Sequence, residues 1–486
     1  MRVKNAGDYR ESLQELSPKV FYMGKRIEDV VTHPVTRPHV NSAAMTYALA
    51  SSRKYQDLFT TTSHLTGDRI NRFTHIFRNA EDLITKVRML RLLGQKTGTC
   101  FQRCVGLDAL NALYSVTYEI DEKYKTEYHS RLKEYLKYVQ SNNLMCVGGM
   151  TDPKGDRSLP PSKQIDLDLY LHMSGKNAKG ITIRGAKLHQ TGAVNSHEII
   201  VMPTIALGEE DKGYAVAAAI PVNSPGITMI FGRQSNDSRK FEEGGMDIGN
   251  PRFGLVGGEA TIVFDDVFVP WERVFMCGEH EFAGPLVERF ASIHRQNYGG
   301  CKGGIADVLI GASAAIAEYQ GLAKVSHIRD KLTEMIHLTE TLYGTSIAAA
   351  VEGKPTPSGM FYVNAMLANV SKQNITRFMF EICRLATDIA GGLLATMPSE
   401  ADLRSPEVGR YVEKYFAGAA GVPAEHRMRV ARLIENISGG TALVEAMHGA
   451  GSPQAQRVMI YRQGGIEEKK RLALALAGIA GYEKTE

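Results

Sequence analysis

The chain is short of several things that would have decided its class. Its 486 residues carry one tryptophan and six cysteines. Six thiols are too few for a disulfide scaffold at this length, and a reducing compartment would keep them available as ligands. No run of about 18 apolar residues occurs, and the opening MRVKNAGDYRESLQEL lacks the apolar core of a signal peptide. A cytoplasmic protein with no membrane contact is therefore expected. The formal net charge is only +4, and no stripe of Lys and Arg interleaved with aromatics is present, so nucleic acid is not an expected partner. There is no G-x-G-x-x-G after a strand pattern, no G-x-x-x-x-G-K-[ST] and no G-x-S-x-G. Rossmann dinucleotide binding, P-loop chemistry and serine hydrolysis are thereby disfavoured.

At 486 residues the chain exceeds the roughly 250–300 at which one core stops growing, so two or three domains are expected. The hydrophobic period changes twice. Up to 143 it is helical, with Leu83, Ile84, Val87, Leu90 and Leu93 on one stripe and Tyr124, Tyr128, Leu132, Tyr135 and Val139 on another. Over 144–278 it alternates: Ile181 and Ile183 are separated by Thr182 and Arg184, and ATIVFDDVFVPWERVF closes the region. From 279 to 486 the chain is alanine-rich and helical again, with long helices expected over 305–322, 331–350, 362–390 and 425–447 and a shorter one over 467–477. Small side chains let such helices pack closely as a bundle. The expected fold is α+β and multidomain: an N-terminal helical domain 1–143, a β domain 144–278 and a C-terminal helix bundle 279–486.

Two distant clusters hold the best candidates for chemistry. In KTGTCFQRCVG, Cys100 and Cys104 are four apart, so on a helix both thiols face one side. In SIHRQNYGGCKGG, His294 and Cys301 are seven apart with Tyr298 between them on the same stripe, although the pair Gly299 and Gly300 is expected to distort that turn. Three thiols and one imidazole converging across the chain would make a metal site. Buried unligated cysteines are nonetheless common, and the spacing fits zinc as well as iron–sulfur ligation, so it does not choose the metal.

Three loops are also rich in polar groups. MTDPKGDR runs from Met150 to Arg157, and its Thr151, Asp152, Lys154 and Arg157 suit a heterocycle or a phosphate, or simply a solvated turn at a domain boundary. KLHQTGAVNSHE gathers His189, Thr191, Asn195, Ser196 and His197 around Gly192. EAMHGAGSPQAQR, from Glu445 to Arg457, is either a glycine-rich anion loop or a connection between helices.

The runs LLGQKTGTCFQRCVGLDALNA, MTDPKGDR, RGAKLHQTG, HRQNYGGCKGG and MHGAGSPQAQR together resemble the 4-hydroxybutyryl-CoA dehydratase/vinylacetyl-CoA Δ-isomerase family over nearly the whole chain. More distantly, the chain is similar to the flavin-dependent 4-hydroxyphenylacetate 3-monooxygenases and the acyl-CoA dehydrogenases. The resemblance implies an acyl-CoA dehydrogenase-like fold with a middle β-barrel and a homotetramer acting on an acyl-CoA thioester. It implies a [4Fe–4S] cluster on Cys100, Cys104, His294 and Cys301, and FAD at Met150, Thr151, Asp152 and Lys154 and at His189, Gln190, Thr191 and Gly192. Glu259, His294, Tyr298, Lys302 and Glu445 fall at the substrate. The stretches 405–424 and 439–445 look shorter than the family's, which bears on Glu445 most.

The chemistry gives each part a reason. A thioester acidifies only the C2 proton of a 4-hydroxyacyl chain, so a base and an oxyanion donor are needed there. A flavin that accepts one electron would make C3 acidic, and iron would act as Lewis acid for the departing hydroxide. Two competing readings are a two-component phenol monooxygenase, which needs no metal ligand, and a zinc-stapled helical scaffold.

Overall fold

The computed structural model describes residues 3–235, 237–254, 258–419 and 421–479; the ends of the first and last expected domains, 1–2 and 480–486, lie outside them. Helices dominate both flanks and sheets the middle, as the change of period predicts. The stripe through Leu83 and Leu93 becomes the helix Ala80–Thr97, started by Asn79, whose side chain accepts from the Asp82 amide, and stopped by Gly98 in the left-handed conformation. The tyrosine stripe divides between the helices Cys104–Tyr124 and Tyr128–Ser141.

The middle is two sheets and not a closed barrel. One sheet has six strands in the order Lys25–Ile27, Val20–Tyr22, Ile227–Phe231, Ala260–Pro270, Gly180–Gln190 and His172–Asn177. The other has four, in the order Val274–Cys277, Val216–Pro221, Glu198–Val201 and Cys146–Gly149. Among the described residues both sheets are open at their edges, which corrects the expectation of a β-barrel. The outermost strands of the larger sheet are short or partly exposed, which is how an edge is kept from pairing further. A second correction concerns the first 143 residues. They are not purely helical, because Val20–Tyr22 and Lys25–Ile27 join the larger sheet and Val20–Tyr22 pairs in parallel with Ile227–Phe231.

One helix organises the rest. Ala283–Tyr319 runs 37 residues without a break, well beyond the expected start at 305, and it carries His294, Tyr298 and Cys301 on successive turns. Its length and apolar composition would suffice to cross a bilayer. Here it is packed among the helices Ala80–Thr97, Ser326–Val351 and Ala365–Ala390, and most of its residues from Phe290 to Ile305 are buried. Gly299 and Gly300 do not distort it. They let neighbouring backbones approach: a Cβ on Gly300 would stand 2.6 Å from the Val87 carbonyl oxygen, and one on Gly299 2.5 Å from that of Leu342. Gly94 on the Ala80–Thr97 helix faces back in the same way, 2.6 Å from the Cys301 carbonyl oxygen. Arg91 then ties three helices together through Asp307 at 2.8 Å and Glu340 at 2.5 Å.

The helix expected over 425–447 is two helices, Ala424–Ser438 and Ala442–His448, parted at Gly439-Gly440-Thr441. Glycine costs helical stability through its backbone freedom, and two in sequence suffice to interrupt the run. The helices Pro453–Gln463 and Ile466–Leu476 follow.

Candidate active site

Cys104 opens its helix, while Cys100 lies before it, in the loop that follows the left-handed Gly98. The two thiols are therefore not stacked on one helical face. Gln102 takes φ 58° between them, which turns the chain and brings Cys100 round to the same pocket. All six cysteines are free thiols. Cys301 lies close enough to raise the proton affinity of both Cys100 and Cys104, and Cys100 that of Cys104. Burial pushes the Cys104 thiol well up, and Asp108, Cys100, Cys301 and Glu445 push it further. Burial, Glu445 and Cys301 do the same to Cys100, against Lys302. Cys301 rises to about 11 through burial, with Lys302 opposing. Three thiols in so dry a pocket stay protonated unless a metal replaces their protons.

His294 completes the set. A Cys104 sulfur, an Asp108 oxygen and a His294 ring nitrogen all lie within 4.8 Å of one another, each residue being buried. His294 Nδ1 is 2.7 Å from Asp108 Oδ2, and no hydrogen bond is found at its Nε2. The ring is stacked on Phe290 at 5.5 Å and met edge-on by Tyr298 at 5.6 Å. Behind it Lys86, fully buried, donates to the Ile293 carbonyl at 3.3 Å. Burial lowers Lys86 to about 8, against the pull of Asp108. The donor chemistry, three thiols and an imidazole nitrogen in a dry pocket, fits a thiophilic metal centre.

Beside the thiols lies a carboxylate pair. Lys302 donates to Glu445 Oε2 at 2.6 Å, and Glu445 Oε1 is buried without a partner. Glu259 accepts from Thr191 Oγ1 at 2.5 Å. Burial first, and the Glu445 charge second, raise Glu259 to about 8. Burial first, and then Glu445 and the three thiols, push the proton affinity of Tyr298 well up. The loop after Glu445 is clamped from beneath: Lys372 donates to the Ala446 carbonyl at 2.6 Å, and Arg295 donates to that of Ala450 at 3.0 Å. Burial, with Lys302 and Arg295 nearby, lowers Lys372 to about 7. Gly449 belongs to the same contact, since any Cβ there would overlap the Tyr298 hydroxyl. The EAMHGAG segment is thus a connection pinned onto buried cations.

The loops expected at a flavin line the sheet side of the same region. Asp152 is not a solvated turn residue. It is buried, paired with Lys187 at 2.8 Å, and accepts from the Leu171 amide at 3.0 Å. Its carboxylate thus shapes the loop from below, while Lys187 holds the carbonyls of Met150 and Met202 at 2.9 and 2.8 Å. Thr151 and Lys154 are half-buried, and Gln190 is buried with its amide directed to the carbonyls of Leu188 and Thr151. His189 has φ 58°, and desolvation first, then the charges of Lys154 and His448, lower its proton affinity. Gly192 sits at φ 84°, where a Cβ would stand 2.6 Å from the Gln102 carbonyl oxygen; the loop is therefore bound to the cysteine segment. His197 is structural, between Ser12 at 3.0 Å and the Met145 amide at 3.0 Å. Cys146, Cys277 and Cys383 are apart from the other thiols, beside Tyr135, Met173 and Ser438 respectively.

Sequence reasoning missed Asp108, Lys86, Lys372 and Arg295. A signal existed for one: Asp108 is four residues after Cys104, hence on the same helical face.

Known proteins resemble this chain over nearly its whole length. The family model for the 4-hydroxyphenylacetate 3-hydroxylase N terminus matches residues 5–276, and that for the C terminus matches 283–478. A 4-hydroxybutyryl-CoA dehydratase/vinylacetyl-CoA-Δ-isomerase from Clostridium aminobutyricum is 56% identical, over 98% of this chain and 99% of its own. The structure of an oxygen-tolerant archaeal 4-hydroxybutyryl-CoA dehydratase from N. maritimus superposes with a TM-score of 0.96 at 52% identity, covering 98% of this chain and 95% of that one. The oxygenase component of 4-hydroxyphenylacetate 3-monooxygenase complexed with FAD has the same fold, with a TM-score of 0.85 at 23% identity over 98% and 99% of the two chains.

Proposed function

The chain belongs to the 4-hydroxyphenylacetate 3-hydroxylase family and, within it, to the 4-hydroxybutyryl-CoA dehydratases, and on that premise we propose that it dehydrates 4-hydroxybutyryl-CoA to crotonyl-CoA and isomerises vinylacetyl-CoA. The observation that carries this reading is the convergence of three thiols, Cys104 buried and Cys100 and Cys301 partly so, with His294, the Lys302–Glu445 pair and Glu259. A phenol monooxygenase has no use for that thiol set.

Cys100, Cys104, Cys301 and His294 would hold a [4Fe–4S] cluster. Met150, Thr151, Lys154, His189, Gln190, Thr191 and Gly192 would hold FAD, with Asp152 supporting the loop. Bound there, the two groups would supply one-electron chemistry and a Lewis-acidic iron. The chain's own residues do the rest. Glu259, half-buried and with its proton affinity raised by desolvation and the Glu445 charge, is a stronger base than an exposed carboxylate and takes the C2 proton. Tyr298 keeps its proton and can donate to the thioester oxygen as charge develops there. Lys302 holds Glu445 and balances the negative charge of the thiolates, and the clamped loop above them keeps bulk water from the reacting carbons.

We read the fold as the acyl-CoA dehydrogenase type, with divisions near 143 and 279 and a homotetrameric assembly. Support for assembly comes from apolar side chains left bare on the last helices, including Tyr461 at 72% and Leu476 at 91% exposure; light scattering at micromolar concentration tests it.

His294→Cys, prepared without oxygen, tests the function. It supplies a fourth thiolate and removes the imidazole. The expected result is near-complete iron and an intact flavin spectrum, with a rate at least roughly 100-fold lower if the imidazole is a proton acceptor as well as a ligand, about the contribution of one positioned acid or base. Wild-type protein that carries neither iron nor sulfide would refute the reading.

A further inference from the structure

Behind the thiol pocket stands a polar group that the steps above do not use. Asp108 has no solvent exposure at all and lies one helical turn beyond Cys104. Its Oδ2 receives two nitrogens: His294 Nδ1 at 2.7 Å, and the Asn297 amide, which donates at 2.6 Å. Asn297 comes three residues after His294 on the central helix, so both reach the same oxygen from one face. The other oxygen, Oδ1, has no hydrogen-bond partner and faces the Lys86 ammonium at 3.9 Å.

This arrangement determines the state of the imidazole. An unprotonated Nδ1 would set its lone pair against a carboxylate oxygen at hydrogen-bond distance, in a dry site where that repulsion is unscreened. Nδ1 must therefore carry a proton and donate it to Asp108, so that in the neutral ring, the form a metal binds, Nε2 is the acceptor. Phe290 stacked on one face and Tyr298 edge-on restrict the ring further. We infer that Asp108 is a positioning residue: it holds His294 as the Nδ1–H tautomer with Nε2 free to ligate, and it is not itself a ligand. The inference rests on the metal reading proposed above. Cys104, Asp108 and His294 are also close enough to surround a single ion, so the alternative that Asp108 ligates is a real one. Two features oppose it: Oδ2 is already taken by two N–H donors, and Oδ1 is turned to a cation.

Loss of such a supporting hydrogen bond to a ligating histidine typically costs roughly 10–100-fold in metal retention or activity. The experiment uses the full-length protein carrying its iron, prepared without oxygen and labelled with 15N-histidine. It compares wild type with Asp108→Asn and Asp108→Leu. The readouts are iron per chain, the rate of iron loss to a chelator, and the 15N hyperfine coupling of the reduced, metal-loaded protein. An asparagine carbonyl still accepts from Nδ1–H and leucine does not. Asp108→Asn should keep near-full iron but lose it about 10-fold faster, Asp108→Leu about 100-fold faster, and both should shift the nitrogen coupling. Coupling and loss rate unchanged in both variants would overturn the inference. So would an Asp108→Asn protein as poor in iron as Cys104→Ala, because Asp108 would then be a ligand. Should the leucine variant not fold, Asn297→Ser removes one donor to Oδ2 without touching a ligand, and an unchanged nitrogen coupling there counts equally against it. Wild-type protein free of iron would remove the metal reading itself, and the inference with it.

Discussion

Glu259 offers the most quantitative test of how the pocket works. Its carboxyl is raised to about 8 by burial and by the neighbouring Glu445 charge. At pH 7 only about one-tenth of the molecules then carry the ionised base, and at pH 6 about one-hundredth. If Glu259 takes the C2 proton, exchange of that proton between crotonyl-CoA and deuterated water should rise nearly tenfold per unit from pH 6 to 7 and level off above 8. Glu259→Gln should abolish this rise and lower exchange at pH 8 by roughly 100-fold or more, because an amide cannot accept the proton. Iron and flavin should be unchanged. Stability gives an independent reading. The folded state binds this proton more tightly than the unfolded chain, so the neutral carboxyl's contribution is fully present below the usual glutamate value. It is lost as pH rises toward 8. Relative to wild type, the glutamine variant should gain stability between pH 5.5 and 8.5, on the order of a few kcal/mol at most. A flat exchange profile in wild type, or a glutamine variant that exchanges normally, would refute the assignment of Glu259 as base.

Three further outcomes are expected. Cys104→Ala should leave the iron content far below wild type while much flavin remains, and full iron with full activity would dismiss the thiol cluster. Gly300→Ala inserts a methyl about 2.6 Å from the Val87 carbonyl oxygen; it should cost roughly 1–3 kcal/mol by overpacking and shift Cys301, read as a lower melting temperature together with reduced iron. Lys372→Met strips the donor from the Ala446 carbonyl, at a cost of about 1–3 kcal/mol for the orphaned acceptor. It should slow turnover by loosening Glu445, while leaving the iron content as in wild type.

Period and spacing carried much of this structure. The helical stripes and the alternation over 144–278 reappear as helices and sheets, and the intervals between His294, Tyr298 and Cys301 survive as turns of one helix. Where reading failed, a local pattern was asked to report something non-local. Alternation marks Ala260–Pro270 as a strand, but whether a sheet closes depends on which distant strands it meets. Val20–Tyr22 has three residues, too few for a period, and joins the large sheet through its pairing with the distant Ile227–Phe231. C-x3-C suggested a helix, yet Gly98 ends one helix before Cys100 and the next begins at Cys104. The pair Gly299 and Gly300 suggested a flaw, although its function is close approach of helices. Buried Lys86, Asp108 and Lys372 escaped notice because a charged residue in a helical stripe is expected to face water.

The pocket is assembled from two lengths of chain whose synthesis is well separated in time. Cys104 leaves the ribosome 190 residues (294 − 104) before His294, an interval of roughly 10–40 s at about 5–20 residues per second. During that interval two thiols have no partner, because the helix that buries them has not been made. The close contacts of Gly94, Gly300 and the Val87 carbonyl also require both helices to be present before either can settle. Metal delivered early would meet only half a coordination shell, and oxidants would meet accessible thiols. Any metal would therefore have to be loaded after release of the central helix, and the pace of translation across residues 104–301 sets how long the nascent thiols are exposed.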